Sequence, residues 1–184
     1  RKWATKPWDA HKSKFAMVNQ NSISIETGNE NWNISFAVAQ KIALGLLQSP
    51  NNTLQYPTFV STRLPDFGYS ISKDGTDYTH LWNGQSSLES WYFIQYLLPG
   101  NTDIAKGILK NFVNGQKDSG NIPLKIGLNT QSNPLAATPL LSTIALQIFE
   151  HTNDEEFITE VFPPLLDFFY FWFSGDNDKN QDGI

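Results

Sequence analysis

The chain has 184 residues, a formal net charge of -5 and a pI near 5.1, so it is sized for one domain with a real core and has no electrostatic attraction to a polyanion such as DNA or RNA. It contains no cysteine, which removes disulfides, thiolate metal sites and cysteine nucleophiles together. No apolar run approaches the roughly 20 residues that span a bilayer, because VFPPLLDFFYFWF is short and interrupted by two prolines and Asp167.

Along the chain, residues 1–30 read as an irregular segment and residues 31–184 as one helical domain. A first helix is expected from about Asn31 to Gln48, with Ile34, Val38 and Ile42 as its apolar stripe and Pro50 just beyond its end. A second starts at Ser86, where S-S-L-E suggests a capping box with Glu89. It places Leu88, Trp91, Gln95 and Leu98 on one face and stops at Pro99-Gly100. A third, from about Thr102 to Val113, aligns Ile104, Ile108 and Phe112 and closes at Asn114-Gly115. The fourth opens with Thr138 as cap and Pro139 in the first turn, then carries Leu141, Ala145 and Ile148 to about His151. Asn153 is expected to cap a fifth helix, with Glu156 completing a second capping box. Pro163-Pro164 is expected to break or kink that helix before it resumes from Leu165 to Phe173. Strand signals are weak throughout.

The connections add a constraint. PGN joins the second and third helices and HTND the fourth and fifth, so each pair must be an antiparallel hairpin. The joins from about Ser49 to Gln85 and from about Asn114 to Ala137 are long and irregular. Antiparallel neighbours alternate ends, so both long joins are expected at the same end of the stack, together with the acidic stretch after the fifth helix. A functional site is expected there. The aromatic share of 14% includes six Trp and six Tyr, and flat rings in loops suit the weakly polar faces of sugars.

The stretch TPLLSTIALQIFEHTNDEEFITEVFPPLLDFFYFW, followed by DNDKNQDG, resembles glycoside hydrolase family 63 and its trehalase-like relatives. There a proline-led inner helix precedes a T-x-D-x-x-F turn, and an outer helix rich in Trp and Tyr leads into a D-x-N-x-D-G loop. HLWNGQSSLESWYFIQYLLPGNTDIAKGILKNFVNGQKDSGNIP is similar to the family's segment with L-W, a helix, D-x-x-A, and Q followed by G-x-I-P. The resemblance covers roughly Leu81 to Ile184 and is much weaker before Ile71. It implies an all-α (α/α)6 toroid of helical hairpins. With about five or six helices here against about twelve in a full ring, the chain is expected to be an incomplete barrel, the N-terminal half of the domain. Arg1 is not an initiator and DNDKNQDGI stops inside a motif, which fits that expectation.

By resemblance, the activity is that of an inverting glycoside hydrolase acting on α-glucosides or related oligosaccharides. Inversion needs one carboxyl to protonate the leaving oxygen and another to activate water. The family's pattern puts both downstream of the acidic loop, so no catalytic residue is assigned in this chain and it is expected to be inactive alone. Glu89 and Glu156 are expected to serve as caps, while Glu150, Glu155 and Glu160 read as solvated helix residues.

Sugar binding is what these residues can supply. Trp82 matches the family's pocket tryptophan, with an aromatic plug beneath a loop as the alternative. Where the family commonly follows with W-D, this sequence has Gly84-Gln85; Gln85 offers hydrogen bonds without charge, and Asn83 is either its neighbour in the site or part of a turn. Gln116 and Asp118, at the mouth of the second long join, read equally as pocket or turn residues. Arg63 and Tyr69 in the first long join are rim candidates, although Arg63 can instead pair with Asp66.

Oxygen side chains at Asp176, Asp178, Asn180 and Asp182 recur every second residue, ahead of Gly183. Asp178, Asn180 and Asp182 are therefore metal candidates for Ca2+, the alternative being an Asx-rich turn after a helix stop at Gly175. No organic cofactor is implied. The expected partners are carbohydrate and, because half a ring leaves apolar helix faces uncovered, an oligomeric copy or the complementary second half of the barrel. Two rival readings are a non-catalytic carbohydrate-binding helical protein and a protein-binding scaffold of stacked hairpins.

Overall fold

The computed structural model describes residues 22–60, 66–69, 80–82, 84–127, 135–175 and 177–180, together with positions 12, 16 and 20. Among them are five helices: α1 (Glu30–Gly45), α2 (Ser87–Leu97), α3 (Thr102–Asn114), α4 (Leu141–Thr152) and α5 (Glu155–Trp172). Six short strands lie in the connectors: β1 (Leu47–Gln48), β2 (Thr58–Phe59), β3 (Asp66–Tyr69), β4 (His80–Trp82), β5 (Gly84–Ser86) and β6 (Lys125–Gly127). They form three separate antiparallel ladders, β1 with β2, β3 with β4 and β5 with β6. The fold is thus mostly helical, not all-α. Strands of two to four residues are too short to show an alternating pattern, which is why the sequence gives no sign of them.

The two helical hairpins stack in parallel. The Ser87 hydroxyl at the start of α2 accepts from the Thr138 N–H just before α4, and farther along Gln95 donates to Gln147. On the other layer Lys106 meets Asp154 at 2.6 Å, Lys110 meets Glu160 at 2.5 Å and Gln116 donates to the Pro164 carbonyl at 2.7 Å. In both series the partner numbers rise together, so α2 runs parallel to α4 and α3 to α5. Within each hairpin the short joins reverse the chain, as expected. At the opposite end the two long connectors meet: β5 pairs with β6 in the register Gly84 to Gly127, Gln85 to Ile126 and Ser86 to Lys125.

The core fills the space between these layers. It is built from Phe93, Ile94 and Leu97 of α2, Ile104, Ile108 and Phe112 of α3, Leu141, Ile144 and Ile148 of α4, and Phe157, Val161, Leu165 and Phe168 of α5. β2 closes one side, where the Phe59 and Phe93 rings stack 4.0 Å apart. Gly107 lets this layer approach α3, since a Cβ there would sit 2.8 Å from the Tyr56 Cβ.

Several expectations need correction. The α1 stripe faces solvent: Ile34, Val38 and Ile42 are 51% to 63% exposed, whereas Gln40 and Leu44 are buried. α1 is anchored instead by Leu44 and by the Gln40 side chain, which accepts from the Ile23 N–H at 2.8 Å and donates to the Ile23 carbonyl at 2.6 Å. It also ends at Gly45, because residues 47 and 48 turn into β1. On α2 the buried face is Ser87, Ser90, Phe93, Ile94 and Leu97, while Leu88 is exposed. WYFIQYLL is apolar on two faces, so packing against Phe59 makes a choice that spacing leaves open.

The caps also differ. The Ser86 hydroxyl donates to the Glu89 carboxylate at 2.9 Å and makes no bond to the helix backbone, so no capping box forms. α4 begins at Leu141 with no side-chain cap, and the Thr138 N–H is used by Ser87. Asn153 adopts a left-handed conformation (φ 51°) that ends α4, leaving Asp154 to cap α5 by accepting from the Phe157 N–H at 2.9 Å. α5 runs uninterrupted through Pro163 and Pro164. The carbonyls that lose their i+4 donors to these prolines are those of Thr159 and Glu160, which are solvent-exposed residues, so water is free to take the donors' place while the apolar face holds the helix down.

Candidate functional site

A recess of about 460 Å³ opens at the end of the stack where the long connectors lie. One wall is the turn after α3, with Gln116, Lys117, Asp118, Ser119 and Gly120; the other is the last part of α5 with Asp167, Tyr170 and Phe171, followed by Ser174 just beyond the helix. The turn is shaped by the Lys117 N–H donating to the Asn121 carbonyl and the Gly120 N–H donating to the Lys117 carbonyl, both at 2.8 Å. Gly120 is needed twice over. Its φ is +86°, and a Cβ there would lie 2.7 Å from the Asp167 carbonyl oxygen, so only glycine lets the turn press against α5.

Gln116 fastens the two walls. Its Nε2 donates to the Gly120 carbonyl at 2.9 Å and to the Pro164 carbonyl at 2.7 Å, tying its own turn to α5. Asp118 is exposed beside it. Both expected residues therefore reach the recess, Gln116 as its hinge pin and Asp118 as a carboxylate on its edge. Asp167, Tyr170 and Ser174 were not singled out from the sequence. Asp167 and Tyr170 recur at i and i+3 in the otherwise apolar last turns of α5, with Ser174 in the turn just beyond, and that spacing was the available signal.

Gln85 is elsewhere and inaccessible. It is fully buried, with Nε2 donating to the Ile108 carbonyl at 2.9 Å and Oε1 accepting from Asn111 Nδ2 at 3.3 Å. Asn111, also buried, accepts from the Tyr56 N–H at 3.2 Å and donates to the Tyr56 carbonyl at 3.1 Å and to Thr58 Oγ1 at 3.3 Å. Gln85, Asn111 and Thr58 thus form an internal clamp joining β5 and β2 to α3. The position where a sugar-gripping side chain was expected serves packing.

Trp82 and Tyr69 belong to one hairpin, β3 with β4, where Asp66 pairs with Trp82 and Tyr69 with His80 across a bulge. Arg63, Asn83 and Asp182 lie outside the described residues. Of the other metal candidates, Asp178 is buried and Asn180 exposed, in a turn where the Asn177 and Asp178 N–H groups donate to the Ser174 carbonyl at 2.9 and 2.8 Å. The Asn177 amide donates to the Phe171 carbonyl at 2.8 Å, as an Asx-rich helix stop would. Among the described residues no three His, Asp or Glu side chains converge. No helix there is long and apolar enough to cross a membrane.

The walls offer two carboxylates, an ammonium, a phenol, an amide, two hydroxyls and a phenylalanine ring. That set suits a polyhydroxylated ligand, with acceptors and donors for its hydroxyls and aromatic surface for its C–H groups. No protein-family model matches this sequence, and no curated protein matches it.

Proposed function

We propose that this chain is a saccharide-binding part of an (α/α)-hairpin domain of the glycoside hydrolase family 63 or trehalase-like type, with α-linked glucosides as ligands. The observation that carries the reading is the recess itself. It lies at the end of parallel-stacked hairpins where the long connectors meet, and it joins Gln116 and Asp118 to Asp167 and Tyr170. The sequence resemblance supports the family; the parallel order of α2 with α4 and α3 with α5 is how successive hairpins of such a ring would stack. Asp118 and Asp167 are both open to solvent, unlike the enclosed acid that protonates a glycosidic oxygen, so binding without turnover is expected of the 184 residues.

Titration calorimetry with α-linked glucose di- and trisaccharides tests this. Asp118→Ala and Tyr170→Ala should each weaken binding about tenfold, or about 1.4 kcal/mol. No heat with the unmodified chain, or an affinity indifferent to both changes, sinks the reading. The burial of Gln85 favours a second reading, a non-catalytic carbohydrate-binding protein, because the position at which the family usually holds a sugar-gripping aspartate is committed to the interior here. Release of glucose by the isolated chain contradicts both.

A further inference from the structure

Two apolar surfaces stay open. The first is a groove of about 600 Å³ between α4 and α5, lined by Ala145, Leu146, Phe149, Phe162, Leu165 and Phe169 among others, with no charged side chain along it. Leu146, Phe162 and Phe169 are 53% to 58% exposed. The second is the ridge of Ile34, Val38 and Ile42 on α1. α1 makes no substantial contact with α4 or α5, so the two surfaces do not cover each other within one chain. Patches of this kind mark places where something docks.

Their shapes and charges are complementary. A single row at i, i+4 and i+8 is a ridge, and the space between two packed helices is the groove that receives one. At 1.5 Å per residue the ridge is about 12 Å long and the groove, from Ile158 to Phe169, about 16 Å. Lys41 sits on the ridge beside Ile42, and the α4–α5 turn end of the groove carries the exposed Glu150 and Glu155.

We propose that a second copy of this chain docks its α1 ridge into the α4–α5 groove. Each chain carries both halves of the contact, so association is head-to-tail. The six exposed side chains bury on the order of 600 Å² of apolar surface, well below a standard interface, so assembly depends on concentration.

Sedimentation velocity on the full 184 residues reads this directly. The mass average should climb above 20.8 kDa with concentration. Ile34→Glu with Ile42→Glu, and separately Phe162→Glu with Phe169→Glu, should each abolish the rise. An equimolar mixture of the two variants keeps one intact ridge and one intact groove and should recover a species of two chains and no larger. Because the protein has no cysteine of its own, disulfide trapping provides a check independent of the charged variants. Val38→Cys mixed with Phe162→Cys should cross-link faster than Ala39→Cys with Phe162→Cys. A monomer at every concentration, association that survives the ridge changes, or trapping dominated by pairs of Phe162→Cys chains overturns the proposal.

Discussion

The Asn111 amide sits where β2, β5 and α3 meet, and its buried hydrogen bonds do work that the two-residue ladders are too short to do alone. Replacing it with alanine leaves the Gln85 oxygen and the Tyr56 backbone without their partner inside the protein. Asn111→Ala should therefore lower unfolding stability by about 2 to 4 kcal/mol in denaturant titration, and a loss below about 0.5 kcal/mol would show the clamp to be incidental. Gly120→Ala places a side chain against the Asp167 carbonyl at a positive φ, with an expected cost of about 1 to 3 kcal/mol. Because the turn must then lift off α5, saccharide affinity should fall with it; stability lost while affinity stays intact would separate the turn from the site. Neither residue was legible beforehand. Asn111 looks like any polar residue near a helix end, and Gly120 like any turn glycine, since each owes its role to a segment distant in sequence.

At the scale of elements, α5 tests the electrostatics of the stack. The hydrogen bond from Lys106 holds the Asp154 carboxyl below its usual value of 3.8, and the N–H groups of the α5 first turn add to this. A folded-state pKa below the unfolded one means the contribution is present above the unfolded value and is lost as pH falls through the folded one. Asp154→Asn keeps a cap but removes the charge, so it should melt below the unmodified chain at neutral pH, with the gap closing as pH falls below 3.8. A gap that stays constant down the titration contradicts the pairing. α3 was readable as a helix because its apolar residues recur on a single face. α1 and α2 were readable as helices but not as orientations: one has a stripe that stays exposed, the other has apolar residues on two faces. Of the break or kink expected at Pro163 and Pro164, the break does not occur, since the cost of two missing donors on a solvent face is offset by the packing of Phe157, Val161, Leu165 and Phe168.

For the whole molecule, connection lengths proved the most informative feature of the sequence. Two short joins required two hairpins, and two long joins had to share an end; the ladder between β5 and β6 is that shared end. How one hairpin sits on the other was not legible, because it depends on cross-layer pairs such as Lys106 with Asp154 and Lys110 with Glu160 that are about 50 residues apart. The central claim is that the recess at this end receives a saccharide. Amide chemical-shift mapping during titration with an α-linked glucose disaccharide tests it most directly. The account predicts saturable shifts concentrated in residues 116–120 and 167–174, while α1 and the α2–α3 turn stay still. Shifts centred on the α4–α5 groove, or none at a saturating concentration of the sugar, would contradict it.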